Sequence, residues 1–246
     1  MPSARTPSRS RRGRVPARAL PPVAAALAAG LLALAPVAAA GPAGPAAAAF
    51  RASARPLPTS MAARLRAGGF WHRGCPVALS GLRLLTVTHR GFDGRSHTGQ
   101  LVVNASATGA LAGAFGRLYA RGFPIRHMRF ADFYGPARGR PRDGDVTASF
   151  ECRQAVPSPC TGGRGTGSWS MHAYGLAVDL NPRENPYVGC GQSRDPAARS
   201  YRDRGDRRRG MVGAGAVAAF AAVGWGWGGA WTGDTKDYMH FSATGH

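Results

Sequence analysis

Lysine is almost missing from this sequence: Lys236 is the only one, and every other basic side chain among the 32 is an arginine. The bias carries no mechanism by itself. Acidic residues are also scarce, 12 against 32, leaving a formal net charge of +20. A surface so short of negative charge is drawn to polyanions, whether nucleic acid, anionic lipid or anionic polymer. Aromatic residues interleaved in a basic stripe would point to nucleic acid. That pattern is absent, so nucleic acid is not an expected partner. No Cys-x-x-Cys pair occurs, which speaks against a cysteine-built zinc site. The four cysteines, Cys75, Cys152, Cys160 and Cys190, fit disulfides in an exported chain, with three pairings open. Internal repeats are absent as well.

Only one apolar run approaches membrane-spanning length, Val23 to Ala40, and Gly30 and Pro36 interrupt it. It follows six arginines (Arg5, Arg9, Arg11, Arg12, Arg14, Arg18) and ends in small residues. Basic region, apolar core and small-residue exit describe an export signal over 1–40, with cleavage near Ala38–Ala40. The expected destination is the cell exterior or wall, with membrane contact only through that signal. An uncleaved anchor is the alternative, and Arg11-Arg12 leaves the export route open. Without residues 1–40 the chain keeps 26 basic and 12 acidic side chains.

Residues 41–68 are rich in Ala and Pro and read as a linker, with a short helix around Met61. A folded domain is expected over 69–246, long enough for one core. Leu82–His89 and Gln100–Asn104 read as an antiparallel strand pair, and Thr108–Arg121 as a helix stopped by Gly122 and Pro124. Residues 125–133 suggest a third strand, 134–168 a long loop, Gly175–Leu180 a strand, 190–210 an irregular charged stretch, Val212–Val223 a helix, and Tyr238–Phe241 a last strand. Strands and helices do not alternate strictly, so the expected class is α+β, a small antiparallel sheet with flanking helices.

Two segments carry chemistry. One is Ser170-Met-His-Ala-Tyr-Gly-Leu-Ala-Val-Asp-Leu-Asn-Pro182; the other is Asp237-Tyr-Met-His-Phe241. On one straight strand His172 and Asp179 would face opposite sides, because the side-chain period is two. Gly175 lets the chain turn between them. A carboxylate flanked by Val178 and Leu180 is costly unless something positive meets it. His172, Asp179 and His240 make a three-ligand zinc set that leaves a fourth position open, as catalytic sites do. Asp237 is then near enough to act as base. The plainer alternative is a packed histidine and a strand-end turn.

Ser-x-His-x-x-Gly-x-Ala-x-Asp at 170–179 is followed by Asn181-Pro182 and Asn185-Pro-Tyr187. With Gly224-Trp-Gly-Trp-Gly-Gly229 and Asp237-Tyr-Met-His-Phe241 it resembles the D-alanyl-D-alanine carboxypeptidase family of zinc peptidases. His97-Thr-Gly-Gln-Leu-Val-Val103, Phe123-Pro-Ile125 and Phe150-Glu-Cys-Arg153 extend the likeness to about residues 75–245. The branch it looks closest to includes phage endolysins that cut L-alanyl-D-glutamate bonds. The resemblance implies a fold like that of hedgehog and DD-peptidases, with zinc held by His172, Asp179 and His240. It implies Asp237 as general base, Arg153 steadying the substrate carbonyl and oxyanion, and Ser170 near the substrate or holding the turn. A salt bridge from Arg153 to a loop acid such as Asp145 is the plainer alternative.

The expected activity is zinc-dependent hydrolysis of peptide bonds in peptidoglycan stem peptides, of the D-Ala-D-Ala carboxypeptidase or L-Ala-D-Glu endopeptidase type. Anionic wall polymers are a further expected partner. The rival from another class is a wall-binding module of the same fold without catalysis. The chain departs from relatives at Asp145-Val-Thr-Ala-Ser-Phe150 and around Cys160 and Cys190, which touches substrate detail. Trp225 and Trp227 read as core, Trp231 as a candidate for a cleft. His72, His89, His97, His127 and His246 have no acid at a telling spacing and stay unassigned.

Overall fold

The computed structural model describes residues 49–246 apart from Gly163, Gly165 and Thr166. The export signal expected over 1–40 lies outside these residues. Among them no helix is long and apolar enough to cross a membrane.

The first sheet joins three antiparallel strands in the order β1 (Ala52–Pro56), β2 (Leu82–Arg90) and β3 (Ser96–Asn104). The β2–β3 hairpin matches the expected pair, but β3 begins at Ser96, earlier than Gln100, pairing Leu82 with Asn104 and Arg90 with Ser96. Its first turns are polar and exposed, so they carry no apolar signal. Adjacent residues of β2 face different cores. Leu85 and Val87 join Leu101 and Val103 against α2 (Thr108–Ala120) and α4 (Ala214–Ala221). Leu82 and Leu84 join Val102, Leu65, Phe70, Tyr134 and Phe150 on the other side. The sheet is therefore covered on both faces.

The fold begins before residue 69, against the expected linker. β1 pairs with β2 from Ala52↔Val87 to Pro56↔Arg83, and α1 (Thr59–Ala67) buries Leu65 completely. Every residue of β1 is exposed, so an edge strand held by backbone bonds alone leaves no alternation to read. The third strand expected over 125–133 is also corrected. Only isolated bridges, Arg90↔Pro124 and His127↔Val146, occur there. The chain then turns into α3 (Phe130–Tyr134), where Asp132 accepts from the Arg129 N–H at 2.8 Å.

Two smaller antiparallel sheets follow. One orders β4 (Ala177–Asp179), β9 (His240–Ser242) and β7 (Gly226–Trp227); the other orders β6 (Gln192–Ser193), β5 (Tyr187–Gly189) and β8 (Lys236–Asp237). Val178, Leu180 and Phe241 anchor the former in the first core, where Phe220 stacks on Phe241 with ring centres 4.0 Å apart. Helices and small antiparallel sheets make the class α+β, as expected. Two disulfides, Cys75–Cys152 and Cys160–Cys190, use all four cysteines.

Asn181 and Asn185 clamp the end of β4. Asn181 Nδ2 donates to the Pro124 and Gly210 carbonyls at 2.8 and 3.1 Å. Asn185 Nδ2 donates to the Leu180 and Gly210 carbonyls, and its Oδ1 accepts from the Val212 N–H at 2.6 Å. Both side chains are fully buried, so these bonds satisfy groups that would otherwise be costly to desolvate.

Candidate metal centre

His172 sits on a single 3-10 turn, Met171–Tyr174, capped by Ser170, whose Oγ accepts from the His172 N–H at 3.3 Å. Gly175 ends the turn with φ +67°. A Cβ there would lie 2.6 Å from Asn104 N, so only glycine fits both the left-handed backbone and the close approach. The reversal brings β4 back so that Asp179 lies beside His172. Across the sheet, Asp179 is register partner to His240 on β9. On its other side, Asp179 exchanges backbone bonds with Ala148.

Three atoms converge. His172 Nε2 lies 3.1 Å from His240 Nδ1, and Asp179 Oδ1 lies 3.2 Å from each. Their other valences are already committed or sealed. His172 Nδ1 is 2.5 Å from the Ser149 carbonyl, so its proton belongs there and Nε2 presents a lone pair. His240 Nε2 is buried and meets no partner among the described residues. Two ligands bound at ~2.0 Å with tetrahedral angles stand ~3.3 Å apart. The three edges match one face of such a tetrahedron, so the donor set fits a zinc-sized cation. Burial opposes ionisation of Asp179, but attraction and hydrogen bonds from His172 and His240 outweigh it and hold the carboxyl well below the usual range.

Asp237 approaches on β8, whose partner is Tyr187 of β5. The Gly-Trp-Gly-Trp-Gly-Gly segment runs against it: a Cβ on Gly228 would come within 2.6 Å of the Asp237 carbonyl oxygen. The Oδ1 of Asp237 is sealed from solvent without a donor. Burial, then repulsion from Asp179, pushes its pKa up to about 7, against the pull of His240 and Arg153.

These groups share one cavity of about 520 Å³, also lined by Arg153, Ser170, Trp231 and His246. Arg153 does not meet Asp145. Its Nε donates to Glu151 Oε2 at 2.7 Å and its Nη1 to the Gln154 carbonyl, while Asp145 is taken by Arg126 at 2.7 Å. Trp231 turns its ring toward His240, centres 5.8 Å apart. Trp225 is buried in the core, and Trp227 Nε1 donates to the Tyr238 carbonyl at 2.9 Å. Two histidines do have acids after all: His97 meets Asp93 at 2.9 Å and His127 meets Asp143 at 3.2 Å. Among the cavity residues to which the sequence reading gave no role in a site are Trp169, Tyr187 and Arg194. Trp169 is the one exposed large apolar side chain among the described residues. They lie in or beside irregular loops, where no period marks a face.

A second grouping of possible ligands, His72 with Cys75 and Cys152, has both sulfurs committed to a disulfide.

No curated protein and no solved structure matches the chain significantly. Residues 164–243, about a third of the chain, match the profile of a family described as D-alanyl-D-alanine carboxypeptidase. The matched stretch contains His172, Asp179, Asp237 and His240, and leaves Arg153 outside. The match supports a hydrolase of the peptidase class, from a family that acts on peptidoglycan. Over the segment that builds this centre, the chain is similar to the D-alanyl-D-alanine carboxypeptidase family, a family of zinc peptidases.

Proposed function

We propose that the protein is an exported zinc peptidase that hydrolyses peptide bonds in peptidoglycan stem peptides. The observation that carries this reading is the triangle of His172 Nε2, Asp179 Oδ1 and His240 Nδ1, with edges of 3.1–3.2 Å, set beside a buried, unpaired Asp237 oxygen. His172, Asp179 and His240 would hold the ion. Zinc bound by three protein ligands supplies a Lewis acid for a carbonyl and a strong nucleophile from water near neutral pH.

The chain's own groups do the rest. The unpaired Oδ1 of Asp237 accepts the proton of the attacking water and returns it to the leaving amine, general acid–base work worth ~10²–10⁴-fold. Arg153, steadied by Glu151, keeps its Nη2 free of hydrogen bonds among the described residues and supports the charge that develops on the carbonyl oxygen. The Ser149 carbonyl fixes the His172 ring, and Ser170 fixes the turn that bears it, so Ser170 acts by positioning. Trp231 and the apolar walls exclude water from one side of the centre.

The test uses residues 41–246 and the His172→Ala and Asp237→Asn variants. The expected result is about one zinc per wild-type chain by elemental analysis, lost in His172→Ala. Asp237→Asn should keep the metal and lose at least ~10²-fold in the rate of peptidoglycan digestion. Product masses name the bond. A wild type without metal, or digestion surviving both substitutions, returns the protein to a wall-binding role without catalysis.

A further inference from the structure

The cavity wall carries two arginines in different states. Arg153 is engaged by Glu151 and by the Gln154 carbonyl. Arg194 also lines the cavity, yet its guanidinium makes no hydrogen bond or ion pair among the described residues. Asp195 also lines the cavity but forms no ion pair with Arg194 among the described residues; its Oδ1 accepts from the Ala197 N–H at 2.8 Å.

The backbone fixes where this cation stands. Arg194 N–H donates to the Tyr187 carbonyl, and Tyr187 is in turn the register partner of Asp237. Arg194 is thus two strand spacings from Asp237, on the order of 10 Å along the sheet. The Cys160–Cys190 disulfide ties the turn after β5 to the neighbouring loop, and β6 pairs back onto β5 through Val188↔Ser193. Arg194 stands one residue beyond β6, at the end of a braced strand pair.

The field inside the cavity is polarised. Asp179 and Asp237 stand at the centre, and an unpaired guanidinium stands at the rim. A peptide carboxylate entering the cavity is drawn to that guanidinium. Successive residues of a peptide are spaced about 3.8 Å apart, so a carboxylate one or two residues from the bond under attack falls between the two. A guanidinium matches a carboxylate with paired donors.

We propose that Arg194 is a specificity-determining residue that pairs with a substrate carboxylate lying one or two residues from the scissile bond. This rests on the peptidase reading and deepens it. The carboxylate can be the C-terminus of the peptide or an acidic residue within it. The first makes the enzyme a carboxypeptidase, and the second an endopeptidase that reads an acidic neighbour.

The experiment uses three synthetic stem peptides: the parent, its C-terminal amide, and the parent with its internal acid amidated. Turnover is measured with the zinc-loaded wild type and with Arg194→Gln and Arg194→Lys. Affinity for the same peptides is measured by calorimetry on Asp237→Asn, with and without Arg194→Gln. One amidation should raise KM by tenfold or more in the wild type with kcat little changed. Arg194→Gln should lose the same factor on the parent and nothing further on that amide, with zinc content unaltered. Arg194→Lys should recover part of the loss. Affinities should follow KM.

Turnover without discrimination between acid and amides, or an equal effect of Arg194→Gln on all three peptides, overturns the inference and leaves the peptidase reading intact. Absence of turnover, with acid-selective binding that Arg194→Gln abolishes, retains the carboxylate site and removes the peptidase reading. Absence of both removes both.

Discussion

Arg126 serves two carboxylates at once, Asp145 through Nε and Glu184 through Nη2, each at 2.7 Å. Both acids are fully buried, and Glu184 Oε2 has no partner among the described residues. One guanidinium cannot neutralise two buried anions. Burial, then the hydrogen bond with Asp145, pushes the Glu184 pKa up to about 7 from 4.5, against the pull of Arg126. Arg204 also reaches this residue, donating to its backbone carbonyl. A folded-state pKa above the unfolded one means the contribution to stability is full below about pH 4.5. It is lost as the pH rises through about 7. Glu184→Gln should therefore flatten the fall in melting temperature between pH 5 and 8 relative to wild type. An unchanged slope would mean that Glu184 is already ionised throughout this range.

Among the elements, the reversal at Gly175 does most to build the centre, since it alone lets His172 and Asp179 face one point. Gly175→Ala should cost ~1–3 kcal/mol through the left-handed backbone and the clash with Asn104. It should also weaken zinc retention against a chelator at least tenfold, because His172 moves with the turn. Melting curves and chelator competition check the two effects separately. That reversal was legible in sequence, as were the β2–β3 hairpin, α2 and α4, because their apolar spacing or glycine punctuation is local. Other elements were not legible. β1 is exposed on both faces and held only by backbone bonds to β2. The segment at 125–133 has strand-like composition, but Asp132 pairs with the Arg129 N–H and starts a helix. Arg153 shows the same limit at the site: sequence distance left Asp145 available to it, and the fold gave Asp145 to Arg126. The turn after β5 that leads to Arg194 is tied down by the Cys160–Cys190 pairing, one of three that sequence allows.

At the scale of the whole molecule, charge is unevenly shared. Residues 49–142 hold 15 arginines and 2 acids, while residues 143–246 hold 11 basic and 10 acidic side chains. The part built from the first sheet and its helices thus carries nearly all the excess. The part with the metal centre is almost balanced. On the proposed peptidase reading, the first part would hold the protein to an anionic wall polymer and the second would reach the stem peptide. Binding to purified wall should drop tenfold or more between 50 and 500 mM salt, as screening shortens the reach of surface charge to about 3 Å near 1 M. Hydrolysis of a short soluble peptide should change far less over the same range. Equal sensitivity of both would tie the charge to the cavity instead. Sedimentation with wall fragments and a peptide assay, run side by side, separate these outcomes.

The pairing of Asp179 with His240 also gives the centre a place in time. The two side chains lie 61 residues apart in sequence, and a chain is delivered from its N-terminal end. The first sheet, both cores' early strands and the turn bearing His172 can be complete while β9 has yet to arrive. Until β9 docks in register, the face of three donor atoms does not exist. A centre built this way stays incomplete until β9 docks, because His240 is delivered after the other two ligands.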